Sequence, residues 1–342
     1  MQQLTYLAPN QLAWREVPDA RLDSDHAAIV RPLAVARCDI DLLLGTGLIP
    51  GKQPYALGHE CTAEILDLGA AVRGLEIGQR VVVSFQLSCG TCRNCLAGHS
   101  AICERYPLLS DYGMQPLSGI EYGGMLADRV KVPFANAMLR PFAANLDPVA
   151  LASVSDNVLD GYRGVARHLT ARPGSNVLIV SHGYPSIPLY AVQAARALGA
   201  ARVDFASDDE AALAHAAKLG ATPLRTDFKK RGERYPIVVD GGFKPEGFAF
   251  ALDSTQDEGI FQSLGYLFGE VAVPFGKLYT RGMQIHVGRT HAAALLPEVI
   301  ALIEAGRLDP SAVTTRVVGR EEAASAYLEP ATKLVVRMDP AG

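Results

Sequence analysis

Four cysteines close together in the chain carry the clearest chemical signal in the sequence: Cys89, Cys92, Cys95 and Cys103. Their spacing, C-x2-C-x2-C-x7-C, lets successive thiolates turn inward onto one ion. Four thiolates complete the tetrahedral shell of Zn²⁺, so we predict a structural zinc with no open position for substrate. An iron–sulfur cluster and a redox dithiol are the alternatives, but the ferredoxin spacing differs and a redox pair does not need four cysteines.

A second set of candidate ligands lies upstream of this loop. Cys38 offers a thiolate, and Gly58-His59-Glu60 offers an imidazole and a carboxylate. Each residue alone is more often a packing residue than a ligand, so metal binding and packing both remain open. His99 lies inside the cysteine loop, but a fifth ligand is unnecessary there and we expect it to be exposed.

The composition restricts the functions that these residues can serve. A chain of 342 residues, 49% hydrophobic and 20% charged, is typical of a soluble globular protein with two domains. The net charge of −4 gives no electrostatic case for binding nucleic acid or an anionic membrane. The sequence shows no secretory signal and no membrane-spanning apolar run, and its cysteines are clustered. We therefore predict a cytoplasmic protein.

The elements that must position these residues change character near residue 150. Before it, short β-rich runs such as 27–30 and 80–83 alternate with glycine and proline turns, which predicts an irregular β domain. After it, the apolar run 176–180 reads as a strand buried on both faces of a parallel sheet. A helix over 186–198 follows that strand.

The alternation of strand and helix continues beyond that helix. Strands are predicted at 202–206 and 237–240, with a helix at 209–219 between them. This pattern favours right-handed βαβ units and a doubly wound sheet. The C-terminal region is predicted to contain helices at 292–305 and 321–327, each followed by a strand.

Together these features resemble the zinc-containing medium-chain dehydrogenase/reductase superfamily, the alcohol dehydrogenase family. Gly58-His59-Glu60 begins a stretch that continues through Gly78-Gln79-Arg80-Val81 and looks like the family's signature. The cysteine loop follows at the expected distance, and residues 122–128 resemble the family's strand after that loop. The βαβ region comes next, in the family's order, so the resemblance covers nearly the whole chain.

The resemblance implies an α/β fold with two domains. A GroES-like β-rich catalytic domain is expected at 1–150 and a Rossmann doubly wound parallel-sheet domain at 151–285. Residues 286–342 are expected to complete the catalytic domain. The segment from Phe268 to Val287 resembles the family's intersubunit strands, which implies a homodimer or homotetramer.

Carried over residue by residue, the resemblance makes Cys38 and His59 ligands of a second, catalytic zinc. The family's third ligand is Cys, Glu or Asp, and residues 155–162 resemble the version with Asp. Asp156 is therefore the predicted third ligand, with Asp160 as its competitor.

Two further residues receive roles at this zinc. Glu60 is predicted to be a labile fourth ligand, and Asp41 to be the acceptor that orients His59. An open position would accept an alcohol oxygen and lower its pKa, so that a hydride can pass to a nicotinamide ring.

The sequence departs from the family at the proton relay. Family members usually carry a Ser or Thr hydroxyl two residues after the first ligand, and this chain has Ile40 there. The relay would then start at another residue, such as Asp39 or His182, run through water, or be absent.

The dinucleotide-binding loop is also altered. Ser181 and Pro188 stand where the first and last glycines usually stand, whereas Gly183, which lets the backbone approach a pyrophosphate, is kept. Pro188 falls in the first helical turn, where proline is tolerated. The helix N-terminus can still face a phosphate, so we predict cofactor binding, with weakened or lost binding as the alternative.

The position that normally binds the adenosine ribose is occupied by Ser207, followed by Asp208 and Asp209. Serine would permit a 2′-phosphate, but the adjacent acids would repel one and no arginine follows, so NAD is favoured over NADP. The complete set of predicted cofactor contacts is Gly183, Tyr184, Ser186, Ile187, Ser207, Asp208, Gly265, Tyr266 and Lys333, the last of them at the pyrophosphate.

The predicted function is a zinc-dependent oxidoreductase, with two zinc ions per chain, acting between an alcohol or polyol, or its carbonyl product, and a nicotinamide cofactor. A same-fold zinc enzyme with altered or lost cofactor exchange is one alternative, and a non-catalytic zinc-stabilised regulatory or binding protein is another. Residues expected near the substrate include Tyr112, Tyr122 and Tyr279.

Overall fold

The computed structural model describes residues 1–118, 120, 122–265 and 270–338. The chain divides into two compact units. Unit 1 comprises Met1–Leu159, His291–Gly306 and the described residues from Thr314 onward, and unit 2 comprises Asp160–Thr290 and Arg307–Val313.

The strands of the described chain are β1 (Gln2–Ala8), β2 (Gln11–Glu16), β3 (Ala28–Ala36), β4 (Tyr55–Ala56), β5 (Glu60–Leu68), β6 (Arg80–Val83), β7 (Val130–Val132), β8 (Leu139–Pro141), β9 (Val177–Ser181), β10 (Val203–Ser207), β11 (Thr222–Arg225), β12 (Tyr235–Asp240), β13 (Thr255–Ser263), β14 (Gln284–His286), β15 (Arg316–Gly319) and β16 (Leu334–Arg337).

The α-helices of the described chain are α1 (Asp39–Gly45), α2 (Arg93–Leu96), α3 (Gln115–Ser118), α4 (Ala135–Met138), α5 (Pro148–Leu151), α6 (Asn157–Arg163), α7 (Ala166–Ala171), α8 (Ser186–Ala197), α9 (Glu210–Lys218), α10 (Pro245–Asp253), α11 (Phe275–Thr280), α12 (Ala292–Glu304) and α13 (Ala323–Ala326). Turns of 3-10 helix lie at Ser100–Ile102, Ala152–Ser155, Pro310–Val313 and Arg320–Glu322. None of these described helices is both long and apolar enough to cross a membrane.

Unit 2 contains a parallel sheet with the strand order β11-β10-β9-β12-β13-β14. Strand β9 is buried along its whole length, as its continuous apolar sequence predicts for a strand with both faces covered. The strand order reverses between β9 and β12, which end at Ser181 and Asp240. Open α/β sheets bind ligands in the crevice at such a reversal.

In unit 1, one sheet has the order β15-β16-β3-β5-β6-β8, with β7 on β3, and another has the order β2-β1-β4. Antiparallel pairing sets Ala36 at the end of β3 opposite Glu60 at the start of β5. Strand β16 pairs antiparallel on the other side of β3, with Val335 opposite Ala36. Cys38, His59 and Lys333 lie just beyond these strand ends. They therefore meet at one end of the three strands.

Two local predictions differ from the structure. The described residues within 122–128 form a loop in which Ala127 only bridges to Gln3, and the next strand is β7. The segment is not a continuous strand, but it pairs with β1 through two backbone hydrogen bonds, from the Leu4 N–H to the Leu126 carbonyl and from the Asp128 N–H to the Gln2 carbonyl. A Cβ atom at Gly124 would collide with the Leu57 backbone, so a glycine is required at that approach. The helix predicted at 321–327 is a 3-10 turn followed by the short α13.

Candidate metal centre

The cysteine loop gathers its four thiols around one point. The Sγ atoms of Cys89, Cys92, Cys95 and Cys103 all lie within 4.8 Å of one another, and all are free thiols. Helix α2 begins directly after Cys92, whose sulfur accepts a hydrogen bond from the Cys95 amide. His99 is exposed, and its ring lies 5.3 Å from the ring of His291.

Backbone amides of the loop stabilise its thiolates. The N–H groups of Thr91 and Cys92 donate to Cys89 Sγ at 3.5 and 3.3 Å, and the Glu104 N–H donates to Cys92 Sγ at 3.4 Å. Burial opposes ionisation of Cys89, but these hydrogen bonds outweigh it and lower its pKa to about 6. Cys92 is stabilised as a thiolate in the same way, whereas burial raises the pKa of Cys95 to about 12 and also raises the pKa of Cys103.

The second cluster, which we term the buried cluster, consists of Cys38, His59, Glu60 and Asp156. One ligand atom from each residue lies within 4.8 Å of the others. Cys38 precedes α1, His59 and Glu60 lie where β5 begins, and Asp156 follows the 3-10 turn Ala152–Ser155. Asp160, the alternative ligand, instead bonds to Arg163 within α6 and is outside this group.

Glycines set the backbone in front of His59. Gly58 has φ +87°, a conformation that other residues rarely adopt. A Cβ atom at Gly113 would lie 2.5 Å from the Gly58 carbonyl oxygen, so only glycine allows this approach. The Met125 N–H donates to the same carbonyl at 2.8 Å, which fixes the strand entry that carries His59.

Asp41 and Asp156 face opposite nitrogens of the His59 ring. His59 Nδ1 lies 3.4 Å from Asp41 Oδ1, and His59 Nε2 lies 3.3 Å from Asp156 Oδ2. The second oxygen of Asp41 accepts from the Cys38 N–H at 2.9 Å and from the Tyr327 hydroxyl at 2.8 Å. These two bonds hold the Asp41 carboxylate with its free edge towards the imidazole.

Electrostatics show that the buried cluster favours a cation. Burial raises the pKa of the Cys38 thiol to about 12 and that of Glu60 to about 8, and the nearby Asp156 adds to both shifts. Burial opposes protonation of His59, but Asp41, Asp156 and Cys38 together outweigh it and raise the pKa of His59. A divalent cation reverses the penalty on ionised ligands, so this donor set fits a metal ion.

The structure places the Lys333 side chain next to the buried cluster. Its side chain is fully buried, and Nζ donates to Glu60 Oε1 and to Asn157 Oδ1, both at 2.6 Å. This burial gives no support to the predicted contact with a pyrophosphate, which stays a prediction. The register of β16 against β3 explains this position, because it places Lys333 beside Cys38 at the ends of the two strands.

The side chain of Arg37 forms hydrogen bonds to the chain segment that leads to Lys333. This buried guanidinium donates to the backbone carbonyls of Tyr327, Glu329 and Ala331 at 2.7, 2.6 and 2.9 Å. Three charge-assisted bonds from one planar group fix this chain segment against the end of β3.

The crevice of the unit 2 sheet contains the predicted dinucleotide loop. Gly183 has φ +119°, and a Cβ atom there would meet only Phe243 at ordinary contact distance. Helix α8 begins after this loop, with Ser186 and Ile187 buried in its first turn. Tyr184 packs edge-on against Phe243, with ring centroids 5.4 Å apart.

The end of β10 carries the predicted ribose-binding residues. Ser207 is buried, and its Oγ accepts from the Asp209 N–H at 3.2 Å. Asp208 is exposed, and its Oδ2 lies 3.6 Å from Nε2 of His182. Arg225 lies opposite Ser207 on β11 and forms an ion pair with Glu210.

Two predicted nicotinamide contacts follow β13. A Cβ atom at Gly265 would collide with the Gly242 carbonyl oxygen, which explains a glycine at that position. Tyr266 lies outside the described residues. Asp240, at the end of β12, is fully buried, and burial raises its pKa to about 7.

Comparisons with known proteins agree with this architecture. A family model described as the alcohol dehydrogenase GroES-like domain matches residues 24–141. A protein of Mycobacterium tuberculosis named as a probable zinc-binding alcohol dehydrogenase is 26% identical over 317 residues, covering 91% of this chain and 80% of that protein. L-threonine 3-dehydrogenase of Shewanella sp. is 30% identical over 245 residues, covering 68% of this chain and 66% of that enzyme.

A solved structure extends the likeness to the whole fold. The alcohol dehydrogenase from Thermus sp. ATN1 superposes with a TM-score of 0.91 at 26% identity, covering 99% of this chain and 100% of that one. The chain belongs to the zinc-containing medium-chain dehydrogenase/reductase superfamily. Its predicted fold class is confirmed: a GroES-like β-rich part accompanies a parallel, doubly wound Rossmann sheet.

Tyr112 and Tyr279, two of the tyrosines expected near a substrate, are respectively a packing residue and a surface residue in this dehydrogenase/reductase fold. Tyr112 is fully buried, and its hydroxyl donates to the Lys131 carbonyl at 2.6 Å, so it is a packing residue. Tyr279 is 82% exposed on α11. Tyr122 is half-buried and packs edge-on against Tyr112.

The structure brings to the buried cluster and to the Rossmann sheet several residues that the sequence did not predict. Asn157 and Tyr327 lie at the buried cluster, and Arg225 and Asp240 lie at strand ends of the Rossmann sheet. Asp240 ends a predicted apolar strand and carried a usable signal. Asn157 follows the predicted ligand Asp156 directly in the chain, so its position near the cluster was also readable. Tyr327 and Arg225 depend on long-range packing or strand register, which a single sequence does not reveal.

Proposed function

We propose that this protein is a zinc-dependent oxidoreductase that transfers a hydride between an alcohol or polyol, or its carbonyl product, and a nicotinamide cofactor. One observation carries the proposal: a thiolate, an imidazole and two carboxylates converge within 4.8 Å at a position separate from the closed cysteine loop. The names of the relatives from Mycobacterium tuberculosis and Shewanella, a zinc-binding alcohol dehydrogenase and L-threonine 3-dehydrogenase, support it.

Cys38, His59 and Asp156 would hold the catalytic zinc, with Glu60 as a fourth ligand that can leave. When bound, zinc supplies a Lewis acid that polarises the oxygen of the alcohol or carbonyl. Cys38 and Asp156 are the members with some exposure, 6% and 8%, whereas His59 and Glu60 have none. Substrate would therefore approach from the side of Cys38 and Asp156.

The protein's own residues prepare the ligands. Asp41 Oδ1 lies 3.4 Å from His59 Nδ1, so with a metal ion on Nε2 it would accept the Nδ1 proton and select the tautomer whose Nε2 lone pair faces the metal. Lys333 occupies one oxygen of Glu60, while the other oxygen has no hydrogen-bond partner among the described residues. Glu60 can therefore be held back by Lys333 or turn to the metal.

Ile40 offers no hydroxyl for a proton relay, so the proton leaves by another route. Asp39 is buried next to Cys38 in the chain and is the nearest candidate in sequence. We propose that the proton leaves through Asp39 or through water.

For the cofactor, we propose NAD in preference to NADP. Support comes from Asp208, an exposed acid directly after Ser207, which would repel a 2′-phosphate. Arg225 is the opposing consideration, but its guanidinium is already paired with Glu210. Calorimetric titration with NAD⁺ and NADP⁺ tests this preference, and tighter binding of NADP⁺ would refute it.

A same-fold zinc enzyme without free cofactor exchange is the second candidate. It is favoured by the altered glycine loop, in which Ser181 and Pro188 replace glycines. If neither dinucleotide binds in calorimetry, this candidate replaces the dehydrogenase.

We also propose a homodimer or homotetramer formed through the surface around β14. Phe275, Tyr279 and Val287 are 74%, 82% and 76% exposed there, and β14 is the last strand of its sheet. Phe268, the first residue of the predicted interface, lies outside the described residues. Light scattering tests the proposal: the double variant Phe275→Glu/Tyr279→Glu should be monomeric, and a monomeric wild type would refute it.

The central experiment combines metal analysis with a substrate screen. We expect about two zinc ions per chain, and cofactor reduction with at least one small alcohol or sugar. One zinc per chain, held by the cysteine loop, would instead support a non-catalytic protein.

A further inference from the structure

Asn157 has a place at the buried cluster that the proposed function does not use. Its side chain is fully buried, and Nδ2 lies 3.1 Å from Cys38 Sγ and 3.2 Å from Asp156 Oδ2. Its Oδ1 accepts a hydrogen bond from Lys333 Nζ at 2.6 Å. One amide therefore contacts two of the proposed zinc ligands and the lysine behind them.

Lys333 determines which end of the amide faces the ligands. An ammonium group has only donors, so the atom facing it must be the amide oxygen. The NH₂ group is then turned towards Cys38 and Asp156, and its two hydrogens match one thiolate and one carboxylate. A reversed amide would leave its NH₂ against a cation and its oxygen against two anions.

We propose that Asn157 is a positioning residue that tunes the metal through the Cys38 sulfur, with its orientation set by Lys333. This inference rests on the proposed zinc site. A hydrogen bond to a thiolate draws electron density away from sulfur, so the sulfur gives less charge to the metal. The metal then keeps more positive charge with which to polarise a substrate oxygen.

The bond to Asp156 adds a geometric effect. Asp156 carries one of the two partly exposed side chains of the cluster, and its Oδ2 also faces His59 Nε2. Asn157 follows Asp156 directly in the chain. Its hydrogen bond therefore orients the Asp156 carboxylate without a contact from a distant part of the chain. Loss of Asn157 should therefore weaken both ligand orientation and metal charge.

Cobalt spectroscopy separates this role from simple packing. Co²⁺ is placed at the buried cluster with zinc retained in the cysteine loop, and the thiolate-to-cobalt charge-transfer band is recorded for wild type and Asn157→Leu. Without the hydrogen bond the sulfur electrons lie higher in energy, so the band should move to longer wavelength. Lys333→Met should move it in the same direction, because the amide loses its orienting cation.

The matched control is Asn145→Leu, the same substitution at an exposed asparagine of unit 1, which should leave the band in place. In the zinc-loaded enzyme, Asn157→Leu should lower kcat about 10-fold with a smaller change in KM, the order typical of groups behind metal ligands. If the leucine variant does not fold, Asn157→Ala, which removes the same hydrogen bonds with a smaller side chain and adds no charge, provides the same band shift.

The outcomes are distinguishable. An unmoved band in a cobalt-loaded Asn157 variant overturns this inference while leaving the zinc enzyme intact. A wild type whose buried cluster takes up no cobalt overturns the proposed function and this inference together.

Discussion

The two regions of this protein that we propose to bind metal are built in opposite ways. The cysteine loop takes all four ligands from one short segment, and backbone N–H groups of that segment stabilise its thiolates. The buried cluster takes its ligands from three separate segments, and distant side chains such as Asp41 and Lys333 hold them.

The difference shows where chemistry is possible. A loop with four soft ligands closes the coordination shell and provides stability. A buried set of mixed ligands, assembled from separate segments, would leave a coordination position for a substrate in the proposed site. Each prediction below separates these two roles.

The largest effect is expected from Asp156→Ala. Loss of this carboxylate should remove the metal from the buried cluster and lower kcat/KM about a thousand-fold, or ~4 kcal/mol of transition-state stabilisation. Metal analysis should show one zinc lost per chain. Full activity with both metals present would contradict the assignment of Asp156.

The converse variant is Cys92→Ser in the cysteine loop. A missing thiolate should release the structural zinc and lower the midpoint of thermal unfolding by ~10 °C, because metal binding here is part of folding. At low temperature, the activity of each folded molecule should stay within a few-fold of wild type. A loss of activity equal to that of Asp156→Ala would show that the two regions are not independent.

A smaller effect is expected from Asp41→Asn. The amide keeps the shape but removes the negative charge that faces His59 Nδ1, so kcat/KM should fall by roughly 10- to 100-fold. Tyr327→Phe is the matched control, because it removes one donor to Asp41 and leaves the carboxylate. Equal losses in both variants would argue against a specific role in orienting His59.

The smallest effect concerns Asp240, a buried acid outside both metal clusters. Burial raises its pKa to about 7 in the folded state, above the ordinary value of an aspartate. Between about pH 4 and pH 7 the unfolded chain loses this proton and the folded chain keeps it, so stability falls as pH rises, by up to ~1.4 kcal/mol per unit. The free energy of unfolding of Asp240→Asn, from urea titrations, should lack this slope. An unchanged slope would exclude Asp240 as its source.

The two regions also differ in how far the sequence predicts them. The cysteine loop is read from local spacing alone, because its ligands are neighbours in the chain. Cys38, His59 and Asp156 are assigned to one metal site only through the resemblance to a family, and their roles as ligands remain predictions. The same holds for the domain boundaries at 150 and 285 and for the preference for NAD.

What the sequence could not predict depends on distant packing. Lys333 looks like a surface charge until the pairing of β16 with β3 sets it inside the sheet edge. Residues 122–128 resemble a strand in sequence, and in the structure they pair with β1 only around Ala127, where Leu126 and Asp128 bond to Leu4 and Gln2. Strand register and close backbone approach are properties of the assembled fold, so residue types alone do not reveal them.

The bond from Lys333 to Glu60, which joins residues 273 positions apart, has a consequence for how the protein is made. The cysteine loop is complete on the ribosome once Cys103 has emerged and can take up its ion there. The enclosure of the buried cluster must wait roughly 10 to 50 s longer, at ordinary rates of synthesis, for Lys333 to emerge. During that interval the nascent chain carries Cys38 without its finished surroundings, so the two proposed sites would load metal in the order in which they are translated.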